Sequence, residues 1–190
     1  MTLVRSILAR DGNASVGYLY VNGHRIPTPV NWLTSPTQFG KVNPWARFKV
    51  DGVMVNAYDI LSSSQKAKNA LEAGLPSFLD YDGPIMMDSG GFLFLRNNRR
   101  VADIQELINL YEKFKPDIAV TLDFPFSPNL TSSNRKKLWE RTLKNFEFFL
   151  QSDISINIMP VLHGSTIKEM KAACKSVKDL TDPRIIGIGS

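Results

Sequence analysis

The sequence is poor in residues that commonly hold metals or close disulfides: one cysteine, Cys174, and two histidines in 190 residues. One thiol cannot close an internal disulfide, and one thiol with two imidazoles falls short of a tetrahedral zinc site, so Cys174 is assigned to core packing. No apolar run is long enough to span a bilayer, so no membrane partner is expected. The first ten residues carry Arg5 inside a short apolar stretch and lack a small-residue cleavage pattern. They do not read as a secretory signal, and the cytoplasm is the expected address. Neither G-x-G-x-x-G nor G-x-x-x-x-G-K-[ST] occurs, which argues against a bound nucleotide cofactor. Internal repeats and low-complexity tracts are missing too.

What is present is a globular composition, 43% apolar, with a formal net charge of +5 that suits a polyanionic partner. The basic residues cluster at Arg96, Arg99 and Arg100 and again at Arg135, Lys136 and Lys137. Residues 16–21 and 24–27 alternate around Asn22-Gly23, which predicts an antiparallel hairpin. Residues 28–40 read as an extended loop, with a weak strand at 30–33. Beyond it, short apolar runs at 52–58, 84–88, 117–123, 156–163 and 185–189 alternate with helical periodicity at 102–114, 134–150 and 165–180. Ser133 or Asn134 is expected to cap the second of these helices, and Ser165 the third.

Alternation of this kind predicts parallel pairing in an α/β fold. Asn56, Asp88, Asp123 and His163 each fall at or just beyond the carboxyl end of a different strand. A (β/α) barrel gathers such ends around one mouth, whereas an open doubly wound sheet concentrates ligand groups at a single switch point. The expected fold is therefore an incomplete (β/α)8 barrel of about six strands, with one domain over 1–190 and a hairpin cap at about 16–28.

The run Ile85-Met86-Met87-Asp88-Ser89-Gly90-Gly91-Phe92 is the most informative, because an apolar strand ends on a carboxylate followed by two glycines and an aromatic. The glycines allow a tight turn and close approach of a flat ligand, on which Phe92 could stack. A carboxylate accepts two hydrogen bonds side by side, and the N1–H and exocyclic amino group of guanine offer two donors at that spacing. Asp123 fits that role, Asp88 could contact the base or move protons, and His163 could donate to the purine carbonyl. Singly, each residue also suits a plain structural role: a turn at Asp88-Ser89, a turn at Asp123-Phe124-Pro125, a strand end at His163-Gly164.

These residues resemble the tRNA-guanine transglycosylases, in order along almost the whole chain. The resemblance is carried by Asn22-Gly23-His24 with Thr28-Pro29-Val30, by Val55-Asn56-Ala57-Tyr58, and by Gly74-Leu75-Pro76 with Pro84 through Phe92. It continues through Asp117-Ile118-Ala119-Val120-Thr121-Leu122-Asp123, Trp139-Glu140-Arg141-Thr142, Val161-Leu162-His163-Gly164-Ser165 and Gly187-Ile188-Gly189. Leu93 and His163 stand where the family usually has Gln, and Ser165 replaces a Gly.

The resemblance implies a barrel that exchanges a guanine in nucleic acid for a 7-deazaguanine through a covalent intermediate. Asp88 would be the catalytic acid/base; Ser89, Gly90, Gly91, Phe92, Asp123, His163, Gly164 and Asn56 would line the base pocket. It further implies that the Asp attacking the ribose and the zinc subdomain follow Ser190, so no cofactor is expected in this chain. The chain is then expected to be a fragment or one half of a split enzyme, with a separately encoded half or a second copy as partner. tRNA and DNA both remain open as the polymer, and so does a non-catalytic nucleic-acid-binding subunit.

Overall fold

A computed structural model describes residues 2–34, 43–62, 65, 69, 72–91, 103–127 and 129–189. Three sheets are present among them. An antiparallel sheet is formed by β1 (Leu3–Asp11), β2 (Ala14–Val21) and β3 (His24–Thr28). A parallel sheet of five strands runs β4 (Leu33–Thr34), β5 (Val53–Asn56), β6 (Ile85–Asp88), β7 (Ile118–Val120), β8 (Asn157–Met159). A parallel pair joins β9 (Val161–His163) to β10 (Gly187–Gly189). The described helices are α1 (Ala57–Leu61), α2 (Leu75–Leu79), α3 (Ile104–Phe114), α4 (Ser132–Gln151) and α5 (Ile167–Leu180), with a 3-10 turn at Pro44–Ala46.

The expected hairpin forms, with Asn22 at φ 47° and Gly23 at φ 92°, the left-handed pair that a two-residue turn requires. It is one part of a larger cap, because residues 3–11 add a third strand that the sequence pattern did not disclose. Leu3 alone in that strand is buried, so it lacks the alternation that marks a half-buried strand. Asn22 donates to Asp117 Oδ1 (3.0 Å), while Asp117 Oδ2 accepts from the Ile85 amide (2.9 Å). The cap is thereby tied to the amino-terminal ends of β6 and β7, the end of the sheet away from Asp88.

Strand order in the five-stranded sheet follows the chain without a reversal, so the polar carboxyl ends lie side by side. Alternation sorts the side chains between two faces. Ile85, Met87 and Ala119 join the larger core with Leu107, Tyr111 and Phe149, beneath the helices. Met86, Ile118 and Val120 share the other core with Leu3, Val21 and Ile26 of the cap. Asp88 shares the face of Met86 and therefore stands above this second core.

Several boundaries differ from the sequence expectation. The weak strand lies at 33–34 rather than 30–33. The run at 156–163 is divided between two sheets at Pro160, which has no N–H to give to a ladder. Helices α4 and α5 extend over 132–151 and 167–180, capped by Thr131 and Thr166, whose side chains accept from the amides of Asn134 and Glu169. Threonine at these positions places the hydroxyl on the third helical amide, so Ser133, Asn134 and Ser165 are not the caps. Cys174 packs, half-buried, against Phe146, Leu162, Ala173 and Val177.

Candidate functional site

The site begins where β5 and β6 end in register, Asn56 beside Asp88. The Asn56 side chain does two things at once. Its Oδ1 accepts from the Tyr58 amide (2.9 Å), capping α1, and its Nδ2 donates to Asp88 Oδ2 (2.9 Å). Gly90 N–H donates to the same carboxylate oxygen (3.1 Å). Burial, reinforced by the negative charge of Asp123, pushes the Asp88 carboxyl from an ordinary 3.8 up to about 6, against the lowering effect of the Gly90 and Ser89 amides.

The two glycines after Ser89 are required by neighbouring protein atoms. Gly90 has φ +81°, and a Cβ there would lie 2.4 Å from Tyr58 Cβ and 2.5 Å from Asn56 Oδ1. A Cβ on Gly91 would lie 2.1 Å from the Asp123 carbonyl oxygen. The chain leaving β6 is thus pressed against β5 on one flank and against the strand-end loop of β7 on the other. Phe92 and Leu93 lie outside the described residues.

Asp123 sits three residues past β7, in an extended segment that α4 holds from the side. Asn145 Nδ2 donates to the Leu122 carbonyl (2.9 Å), and the Phe124 amide donates to Thr142 Oγ1 (3.0 Å). The Asp123 carboxylate accepts at Oδ1 from Ser89 Oγ (3.4 Å) and meets His163 Nε2 at Oδ2 (2.6 Å). The second ring nitrogen, Nδ1, is buried without a hydrogen-bond partner. With a carboxylate facing Nε2, the tautomer that places the proton there satisfies the pair and leaves Nδ1 with a bare lone pair. Phe126 packs on the imidazole (centroids 5.4 Å apart), and a Cβ on Gly189 would fall 2.4 Å from its Cε1.

The structure therefore brings Asn56, Asp88, Ser89, Gly90, Gly91, Asp123 and His163 together at adjoining strand ends. Gly164 follows His163, where a Cβ would approach Met170 N at 2.7 Å, so this glycine answers to the first turn of α5. His163 places Nε2 against Asp123 Oδ2, with its other ring nitrogen, Nδ1, buried. Thr142, Asn145 and Phe126 are supporting residues that sequence reasoning missed. Of these, only Thr142, a polar residue on the apolar stripe of α4, left a signal to find.

The basic cluster at 135–137 is divided. Arg135 is bound to Glu169 Oε1 (2.8 Å) and to the Leu130 carbonyl (2.6 Å), and Lys136 lies 3.8 Å from Glu140. Arg96, Arg99 and Arg100 lie outside the described residues. Among the described residues no group of three His, Cys, Asp or Glu side chains is placed to hold a metal, and no helix is long and apolar enough to cross a membrane.

Fold and site together define an α/β protein that gathers two carboxylates, an imidazole and an amide at the carboxyl ends of a parallel sheet. The chain belongs to the queuine tRNA-ribosyltransferase family, whose model matches residues 11–190. It is 33% identical over 169 residues to the tRNA-guanine(15) transglycosylase of Pyrococcus abyssi, covering 87% of this chain and 28% of that protein. Transglycosylases of the same name from Methanopyrus kandleri and Methanobrevibacter smithii are each 28% identical to it. Those matches cover 92% and 97% of this chain, but 38% and 28% of the relatives' own lengths. The chain thus spans well under half the length of these curated relatives.

Proposed function

We propose that this chain is the base-recognising part of an enzyme that replaces guanine in tRNA with a 7-deazaguanine, built as one domain on the amino-terminal portion of a (β/α) barrel. The observation that carries the reading is the pair of partly buried strand-end carboxylates, Asp88 and Asp123, one raised toward neutrality and the other held by an imidazole. The unreversed strand order supports the barrel, since a doubly wound sheet reverses at its switch point. The names of the relatives favour tRNA over DNA as the polymer.

In this reading Asp123 accepts from guanine N1–H and the 2-amino group. His163 and Ser89 fix the carboxylate's rotation, so His163 acts through Asp123 rather than on the base. Asn56 and the Gly90 amide both donate to Asp88 Oδ2 and fix the carboxylate's orientation. Asp88, titrating near neutrality, gives a proton to the guanine that departs with the glycosidic electron pair. It then takes a proton from the incoming base. Asp123 is committed to the base edge and Asp88 to proton transfer. The bond to the ribose anomeric carbon therefore forms from a third carboxylate, outside the described residues. Phe92 is assigned the stacking ring.

Comparing guanine with hypoxanthine, which lacks only the 2-amino group, by calorimetric titration tests the reading. A loss of about 1–3 kcal/mol for hypoxanthine is expected, because one acceptor of Asp123 is left facing no donor. Equal affinity for the two purines refutes it.

A further inference from the structure

Helix α4 reaches well past the mouth of the site. Leu122 and Phe124 are bonded to Asn145 and Thr142, which places the mouth level with the middle of the helix. At 1.5 Å per residue, the turns amino-terminal to Thr142 rise about 15 Å beyond it. Lys137 and Arg141 lie on these turns and Lys144 just carboxyl-terminal to Thr142; all three are exposed, and a spacing of four and three residues puts them on one face. None of the three has an ion-pair partner among the described residues. Neighbouring Arg135 and Lys136 are different, being bound to Glu169 and set beside Glu140 on the flank that faces α5.

Arg141 is further positioned. Its Cζ lies 4.1 Å from the centre of the Phe124 ring, and Phe124 directly follows Asp123. Stacking uses the face of the guanidinium and leaves its N–H edges free to donate. Glu140 lies on the same helix between Lys137 and Lys144, yet its ion pair is to Lys136, at 3.8 Å.

We propose that Lys137, Arg141 and Lys144 form a phosphate-binding stripe, which takes the backbone of the single strand flanking the base presented to Asp88 and Asp123. The assignment rests on the proposed function, since it needs a nucleic-acid strand to enter at that mouth. A base removed from its stack brings its own flanking phosphates with it, and a row of cations beside the mouth meets them without reading sequence.

The test is binding of labelled tRNA to the full 190-residue chain across a salt series, with two charge-matched double variants. One is Lys137→Gln with Lys144→Gln, which leaves Arg141 on Phe124. The other is Lys171→Gln with Lys178→Gln, two exposed lysines of α5 with no ion pair among the described residues. Losing two single-strand phosphate contacts lowers the slope of log affinity against log salt by about 1.4, so the α4 variant loses about sevenfold less affinity than wild type between about 50 and 200 mM salt.

The α5 variant is expected to keep the wild-type slope. A single-stranded DNA of matching sequence is expected to show the same slope difference, because the contacts are to phosphate. Equal falls in both double variants, an unchanged slope in the α4 variant, or no binding of tRNA by wild type would each overturn the stripe. Guanine titration separates this claim from the base-reading one. Wild type that shows the expected slopes and binds no guanine keeps the stripe and loses the base pocket, whereas guanine binding with unaltered slopes does the reverse.

Discussion

Replacing Asp88 by Asn is expected to make the protein more stable at neutral pH. Burial and the Asp123 charge raise the Asp88 carboxyl from 3.8 to about 6. The native state then holds this proton more tightly than the unfolded chain does. The contribution of Asp88 to stability is therefore fully present below about pH 4 and falls as pH rises to about 6, by up to about 3 kcal/mol at neutrality. An Asn side chain carries no charge to desolvate, and its carbonyl can still accept from Asn56 Nδ2 and Gly90 N. Urea unfolding of both proteins at a series of pH values reads this directly. The expected result is near-equal stability at about pH 4 and an advantage for Asp88→Asn that grows to about 2–3 kcal/mol above about pH 7. Parallel pH profiles, or a less stable variant at neutral pH, would show that burial and the Asp123 charge do not raise the Asp88 carboxyl.

Other substitutions follow from the same geometry. His163→Gln removes the 2.6 Å contact that fixes Asp123 and is expected to weaken guanine binding about tenfold, by calorimetry; unchanged affinity would free His163 from any role in orienting that carboxylate. Gly91→Ala drives a Cβ into the Asp123 carbonyl, so guanine affinity and melting temperature are expected to fall together, with about 1–3 kcal/mol lost from stability; a variant as stable as wild type would mean that the two loops are not in contact. Thr142→Val leaves the Phe124 amide without its acceptor, and denaturant melts are expected to show a cost of about 1–3 kcal/mol, against none if that amide finds water instead.

Strand ends were legible where an apolar run stops abruptly at a polar residue, as at Met87-Asp88 and Leu162-His163. The strand at 3–11 was not, since a cap strand with one buried residue carries no alternation to read. The break at Pro160 was there to be seen, but an apolar run on both sides concealed that its two halves belong to different sheets. Local chemistry identified Asp88, Asp123 and His163 as candidates, yet could not tell which would pair. The Asp123–His163 contact joins residues 40 positions apart and exists only once β7 and β9 are placed. Composition made the 135–137 cluster look uniform. Only the fold distinguishes Arg135, bound to α5, from Lys137, which is exposed.

The central claim is that Asp123 reads the donor edge of guanine, and calorimetric titration of guanine into wild type and Asp123→Asn tests it most directly. The amide replaces one acceptor by a donor facing a donor, so a loss of about 1–3 kcal/mol in binding is expected, with adenine binding weakly to both proteins. Unchanged guanine affinity in a folded Asp123→Asn protein would contradict the account.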